Sequence, residues 1–162
     1  MAPAGEPLDF EKARTELDSF LKTLLRAGRF RLTFQVEKGP ADGPEIVVDF
    51  EGEDVDLLLG RGAELLTALE HIAAKFLRLP SEEQYRISFD CHDYKALRDR
   101  ELALMASAAA ERVAKTGQPF PMGPMNSRER RLVHLALKDN SGVRTESEGA
   151  GPGRKVVIYP KK

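Results

Sequence analysis

The sequence predicts an α+β protein made of two modules in tandem. Three observations carry that prediction. Helix-period and strand-period stretches alternate along the whole chain. The length, 162 residues, suits one ordinary domain or two small ones. The charge changes sign midway: residues 1–91 hold 11 Lys and Arg against 18 Asp and Glu, whereas residues 92–162 hold 14 against 8. We therefore expect domains at 1–91 and 92–162, and expect the basic second one to neutralise phosphates.

The first seven residues carry two Pro and one Gly and are expected to form a disordered tail. Phe10, Ala13, Leu17, Phe20, Leu21, Leu24 and Leu25 then recur at helical spacing, with Asp9 as cap and Gly28 as stop. Alternation of Phe30, Leu32, Phe34 and Val36 predicts a half-buried strand. A turn-rich stretch leads to a second strand through Ile46, Val48 and Phe50, giving a hairpin. One or two helical turns over 55–60 and a glycine turn precede a longer helix that Pro80 limits. Tyr85, Ile87 and Phe89 predict a third strand with those residues facing inward.

In the second half, Asp93 is read as the cap of a long helix with Tyr94, Leu97, Leu104, Ala108 and Val113 inward. The stretch 120–125 holds at most a short edge strand, because two prolines keep it from the middle of a sheet. Asn126 and Glu129 have capping-box spacing at the start of a helix running to about Lys138. Two strands, 143–148 and 155–159, close the chain, with 149–153 as their hairpin loop.

Composition excludes several classes. With 41% hydrophobic and 31% charged residues the chain is neither disordered nor membrane-embedded. The longest apolar runs, such as 57–59 and 102–106, are too short to span a bilayer, and the N-terminus has no secretory pattern. The single cysteine, Cys91, forms no internal disulfide and suits a reducing, cytoplasmic compartment. Neighbours Cys91, His92 and Asp93 point in different directions and form no triad. His71, His92 and His134 lack metal-ligand spacing, so no metal, cofactor or catalytic residue is expected.

Two constellations remain. Gly60, Arg61, Gly62 and Ala63 form a turn between two helices, where bare backbone and free helix N–H groups admit a phosphate chain. With the flanking helices and strands, this order resembles a KH domain of the second type, whose glycine loop clamps nucleotides. Further on, Arg130 and His134 lie at i and i+4, one turn apart on a helix face that Ser127, Arg131 and Lys138 extend. Leu132, Val133, Leu135, Ala136 and Leu137 are expected on the buried side. Such a cationic ridge suits phosphate oxygens, and the histidine adds a donor and a flat ring. Following Pro124, Met125, Asn126, Ser127, Arg128 and Glu129, the pair closely resembles the module named for its Arg-x-x-x-His signature, a binder of single-stranded nucleic acid.

The pairing of these two modules resembles the Jag (SpoIIIJ-associated, KhpB-type) family from about residue 10 onward. The family's small additional N-terminal domain is expected to be lacking. The resemblance implies RNA binding in the cytoplasm, control of envelope- and division-related transcripts, and pairing with a small KH-only protein or with itself. It implies Arg130, His134, Arg131, Lys138 and Arg128 as the grip on the backbone, with Gly60, Arg61, Gly62 and Ala63 guiding an adjacent stretch. Single-stranded DNA stays open as a ligand, since nothing here identifies a 2′-OH reader. An alternative class is a protein-interaction scaffold, whose acidic first half docks a protein partner.

Overall fold

Residues 7–161 are described by the structure, a computed structural model. Of the expected tail, residues 1–6 lie outside the described residues and only Pro7 falls within them. The architecture is mixed α+β, as expected, and the chain divides into two compact units, Met1–Tyr94 and Lys95–Lys162. No helix among the described residues is long and apolar enough to cross a membrane.

In the first unit, α1 (Phe10–Ala27) starts where the Asp9 carboxylate accepts the Lys12 N–H at 3.2 Å. It stops at Gly28, whose N–H returns to the Leu24 carbonyl. Ala13, Leu17, Leu21 and Leu25, four residues apart, form its buried stripe. Strands β1 (Leu32–Lys38) and β2 (Ile46–Gly52) pair antiparallel, with Phe34 opposite Phe50. Strand β3 (Ile87–Asp90) lies parallel to β2 on the other side. A parallel neighbour demands a crossover, and α2 (Val55–Phe76) supplies it. Ile46, Val48, Phe50, Ile87 and Phe89 are buried with Leu17, Leu21, Leu58 and Leu66. Each large apolar side chain removed from water contributes about 2 kcal/mol.

The expected inward Tyr85 is a correction. It belongs to a 3₁₀ helix, Ser81–Arg86, and is 68% exposed. The adjacent buried position goes to Arg86, which Glu45 and Glu83 neutralise. Ion pairing thus overrides hydrophobic alternation at the entry to β3.

Helix α3 (Tyr94–Thr116), all but its first residue in the second unit, begins after Asp93, whose φ of +54° is not that of an ordinary N-cap. Its expected inward face is also corrected. Leu97 and Leu104 are 58% and 72% exposed and Ala108 is exposed too, while Leu102, Ala106, Ala109, Ala110 and Val113 are buried. Alanines let the helix backbone approach closely, and between Ala106 and Ala110 they leave little hydrophobic contrast to read. Strands β4 (Phe120–Pro124), β5 (Val143–Glu148) and β6 (Lys155–Pro160) form an antiparallel sheet ordered β4-β6-β5. The proline-bearing β4 takes an edge, as expected. Helix α4 (Ser127–Ala136) buries Val133, and Leu137 beyond it, against Val143, Val156 and Ile158. Leu135 and Ala136, expected on that buried side, are exposed.

Candidate nucleic-acid interface

The start of α4 is fixed from both directions. Asn126 Oδ1 accepts the Glu129 N–H at 3.0 Å, and Glu129 Oε2 accepts the Asn126 N–H at 2.9 Å. This is the expected capping box. Glu129 is only 3% exposed, and its other oxygen accepts Arg98 Nε at 2.8 Å. The acid that precedes Arg130 in the chain is therefore turned inward and paired.

Arg130 is half-buried. Its guanidinium donates to the Met125 carbonyl at 2.9 Å and to Ser127 Oγ at 3.0 Å. It has no carboxylate partner among the described residues. One turn on, His134 sits over the edge strand β5, with Nδ1 2.6 Å from Thr145 Oγ1 and Nε2 2.9 Å from Ser147 Oγ. Burial, reinforced by the Arg130 charge, lowers the His134 pKa below the usual imidazole value. Both ring nitrogens are engaged, so the imidazole braces helix against strand and offers only its ring face outward.

Arg131 and Lys138 are exposed, with no side-chain hydrogen bond or ion pair among the described residues. Projected at about 100° per residue, Arg130, His134, Ser127, Lys138 and Arg131 follow one another within an arc of about 100°. Lys138 lies in the turn just past the last helical residue. Arg128 lies outside that arc. It reaches back to α3 and grips Asp99 with two nitrogens, at 2.8 and 2.7 Å. Of the cationic residues and histidine singled out here in the sequence, Arg130, Arg131, His134 and Lys138 thus share a face, and Arg128 is held elsewhere.

Residues 100–160 match the R-3-H domain family. The second unit carries this domain. Most of the chain is similar to proteins named RNA-binding protein KhpB. It is 29% identical to that of Clostridium symbiosum over 143 residues, covering 88% of this chain and 64% of that protein. For Lactiplantibacillus plantarum the identity is 31% over 115 residues, covering 71% and 36%. For Bacillus subtilis it is 29% over 147 residues, covering 88% and 68%. The chain thus spans about two thirds or less of the length of these curated relatives. These similarities support a place in the KhpB/Jag-type family.

Two partners in the second unit escaped the sequence reading, Thr145 and Ser147. Their signal was a pair of hydroxyl residues two apart, hence on one strand face. In the first unit, the turn at 60–63 interrupts α2. Gly60 is extended at φ −56°, ψ 149°, and Arg61, Gly62 and Ala63 follow with φ of 53°, 71° and 61°. Left-handed backbone costs a non-glycine residue about 1–2 kcal/mol, and Arg61 and Ala63 both bear it. Arg61 is exposed, Ala63 is packed into the core, and a Cβ built on Gly60 or Gly62 would meet nothing within 4 Å.

Proposed function

We propose that this protein binds single-stranded RNA, without catalysis, through the polar stripe of α4 in its second unit. Arg130, Arg131 and Lys138 hold the sugar-phosphate backbone, and His134 presents its ring face while fixing β5. The observation that carries this reading is the set of cations on one face of a capped helix, with Glu129 turned inward. The KhpB-type relatives are named for RNA binding, and the domain-family match falls on these residues.

We read the first unit as a KH-like fold of the second type, a reading that its order of helix, strand, strand, interrupted helix and parallel strand supports. There Gly60, Arg61, Gly62 and Ala63 guide an adjacent stretch of the same strand, with open space where glycine side chains would be. The biological role we assign is post-transcriptional regulation of envelope- and division-related transcripts in the cytoplasm, with a small KH-only protein or a second copy as partner. Single-stranded DNA is a further ligand, since phosphate contacts dominate.

Full-length protein titrated into labelled single-stranded RNA tests the reading. Arg130→Ala and Arg131→Ala each weaken binding, whereas Arg128→Ala, whose guanidinium is held on Asp99 away from the stripe, changes it least. The slope of log affinity against log salt is about −2 for three phosphate contacts. A flat salt response, or wild-type affinity in Arg130→Ala, refutes it.

One observation favours a second reading for the first unit alone. The sheet face opposite the buried one carries Asp49 beside Asp90, with Glu37 and Glu51 on neighbouring positions. Burial and then the Asp90 charge raise the Asp49 pKa. Such a face repels phosphate and suits a protein partner. Light scattering with and without nuclease separates protein-held assembly from RNA-held assembly.

A further inference from the structure

Several cations in the second unit are held by partners within it. Arg98, Arg128 and Arg144 are tied to Glu101 and Glu129, Asp99, and Glu146. Arg112 lies over the Phe120 ring at 5.5 Å. Arg154 differs from these. Its side chain is exposed and has no hydrogen bond or ion pair among the described residues.

Its backbone, by contrast, is pinned on both sides. The Arg154 N–H donates to the Gly151 carbonyl at 3.2 Å, and its carbonyl accepts the Met125 N–H at 3.1 Å. Met125 is also the residue whose carbonyl accepts the Arg130 guanidinium. A single residue therefore joins Arg154 to Arg130. The loop holding Arg154 turns back on itself: a Cβ built on Gly149, at φ +85°, would meet the Gly153 carbonyl at 3.4 Å and the Arg154 Cα at 3.5 Å.

The side-chain face follows from strand alternation. Arg154 is extended at φ −69°, ψ 132°, and leads into β6. Val156 and Ile158 belong to the core shared with α4, so Arg154 continues on the α4 side. Lys155 falls on the opposite face with Val157 and Tyr159, and it pairs in register with Glu148.

We propose that Arg154 is a further phosphate-binding residue of the second unit. It takes the single strand where it leaves the start of α4. This rests on the reading of α4 as the RNA-binding face and lengthens that face at its Arg130 end. From Lys138 to Arg130 the chain rises about 12 Å along the helix axis. Arg154 adds a fixed cation beyond that span, on backbone that needs no ordering when the ligand arrives.

Full-length protein is titrated with fluorescent oligouridylate of increasing length, at several salt concentrations. Arg154→Ala is expected to bind long oligomers about tenfold more weakly, while the shortest bound oligomers show little change. Its salt slope falls by about 0.7, the value for one phosphate on a single strand. Arg154→Lys, which keeps the charge, recovers most of the loss. Lys155→Ala removes the same charge from the other sheet face and serves as the control, with wild-type affinity expected. If Arg154→Ala matches Lys155→Ala while Arg130→Ala is weakened, the extension is overturned and the α4 reading stands. If Arg130→Ala also binds as wild type, the α4 reading itself fails.

Discussion

Replacing Glu129 with alanine removes two supports of α4 at once. The capping box loses its reciprocal half, which costs about 1 kcal/mol. Arg98 loses a buried carboxylate at 2.8 Å, and breaking a buried pair costs roughly 3–5 kcal/mol. The Arg98 side chain is 24% exposed and keeps Glu101 at 2.7 Å, so the lower part of that range is cut further, to about 2 kcal/mol. The total is about 3 kcal/mol. For a unit of 60–100 residues, each kcal/mol moves the melting temperature by about 4–8 °C, so the transition of the second unit drops by roughly 12–24 °C. Differential scanning calorimetry of the full chain reads this. Glu129→Gln keeps an oxygen for the Asn126 N–H but turns an amide donor toward Arg98 Nε in place of an acceptor, so it falls between wild type and alanine. A drop equivalent to under about 1 kcal/mol in Glu129→Ala would falsify the account of a buried, doubly used carboxylate. RNA affinity in the alanine variant falls too, because Met125 and Ser127, the anchors of Arg130, sit at that helix start.

Three other outcomes are expected. The hydrogen bond from Arg86 holds the Glu45 pKa below the usual carboxylate range, so the stability Glu45 contributes is present above that range and is lost as pH falls from it through the lowered folded value; urea midpoints of Glu45→Gln should be lower than wild type at neutral pH and fall less steeply on acidification. Gly60→Ala, at φ −56° with open space around it, should keep or raise stability by about 0.5 kcal/mol, whereas Gly62→Ala at φ +71° should lose about 1 kcal/mol; equal melting temperatures for the two variants would refute the left-handed turn. In an NMR titration, the His134 ring should protonate below the usual histidine value, and Arg130→Ala should move it upward; an upward-shifted wild-type ring would contradict its burial beside Arg130.

The features readable from the sequence were those set by neighbours along the chain. Asn126 and Glu129 are three residues apart, and a capping box needs nothing more. The shared face of Arg130, His134, Arg131 and Lys138 follows from helical pitch alone. Pro121 and Pro124 placed β4 at an edge because they cannot donate to a ladder. What was missed came from distant partners or from weak contrast. Helical pitch sets Arg128 beside the stripe, and Asp99, 29 residues away, holds it there. Thr145 and Ser147 meet His134 only once β5 is packed beside α4. Arg86 holds a buried position because Glu45, 41 residues away, neutralises it. On α3, bulky leucines misled, since close approach in this core is made by alanines.

The hydroxyl pair around His134 has one more consequence. A serine or threonine oxygen gives or receives a proton with equal ease, so the contacts at 2.6 and 2.9 Å survive whichever nitrogen carries the hydrogen, and survive when both do. Tautomer exchange leaves the spacing of helix and strand unaltered. Acidification therefore adds a positive charge beside Arg130 without breaking either contact.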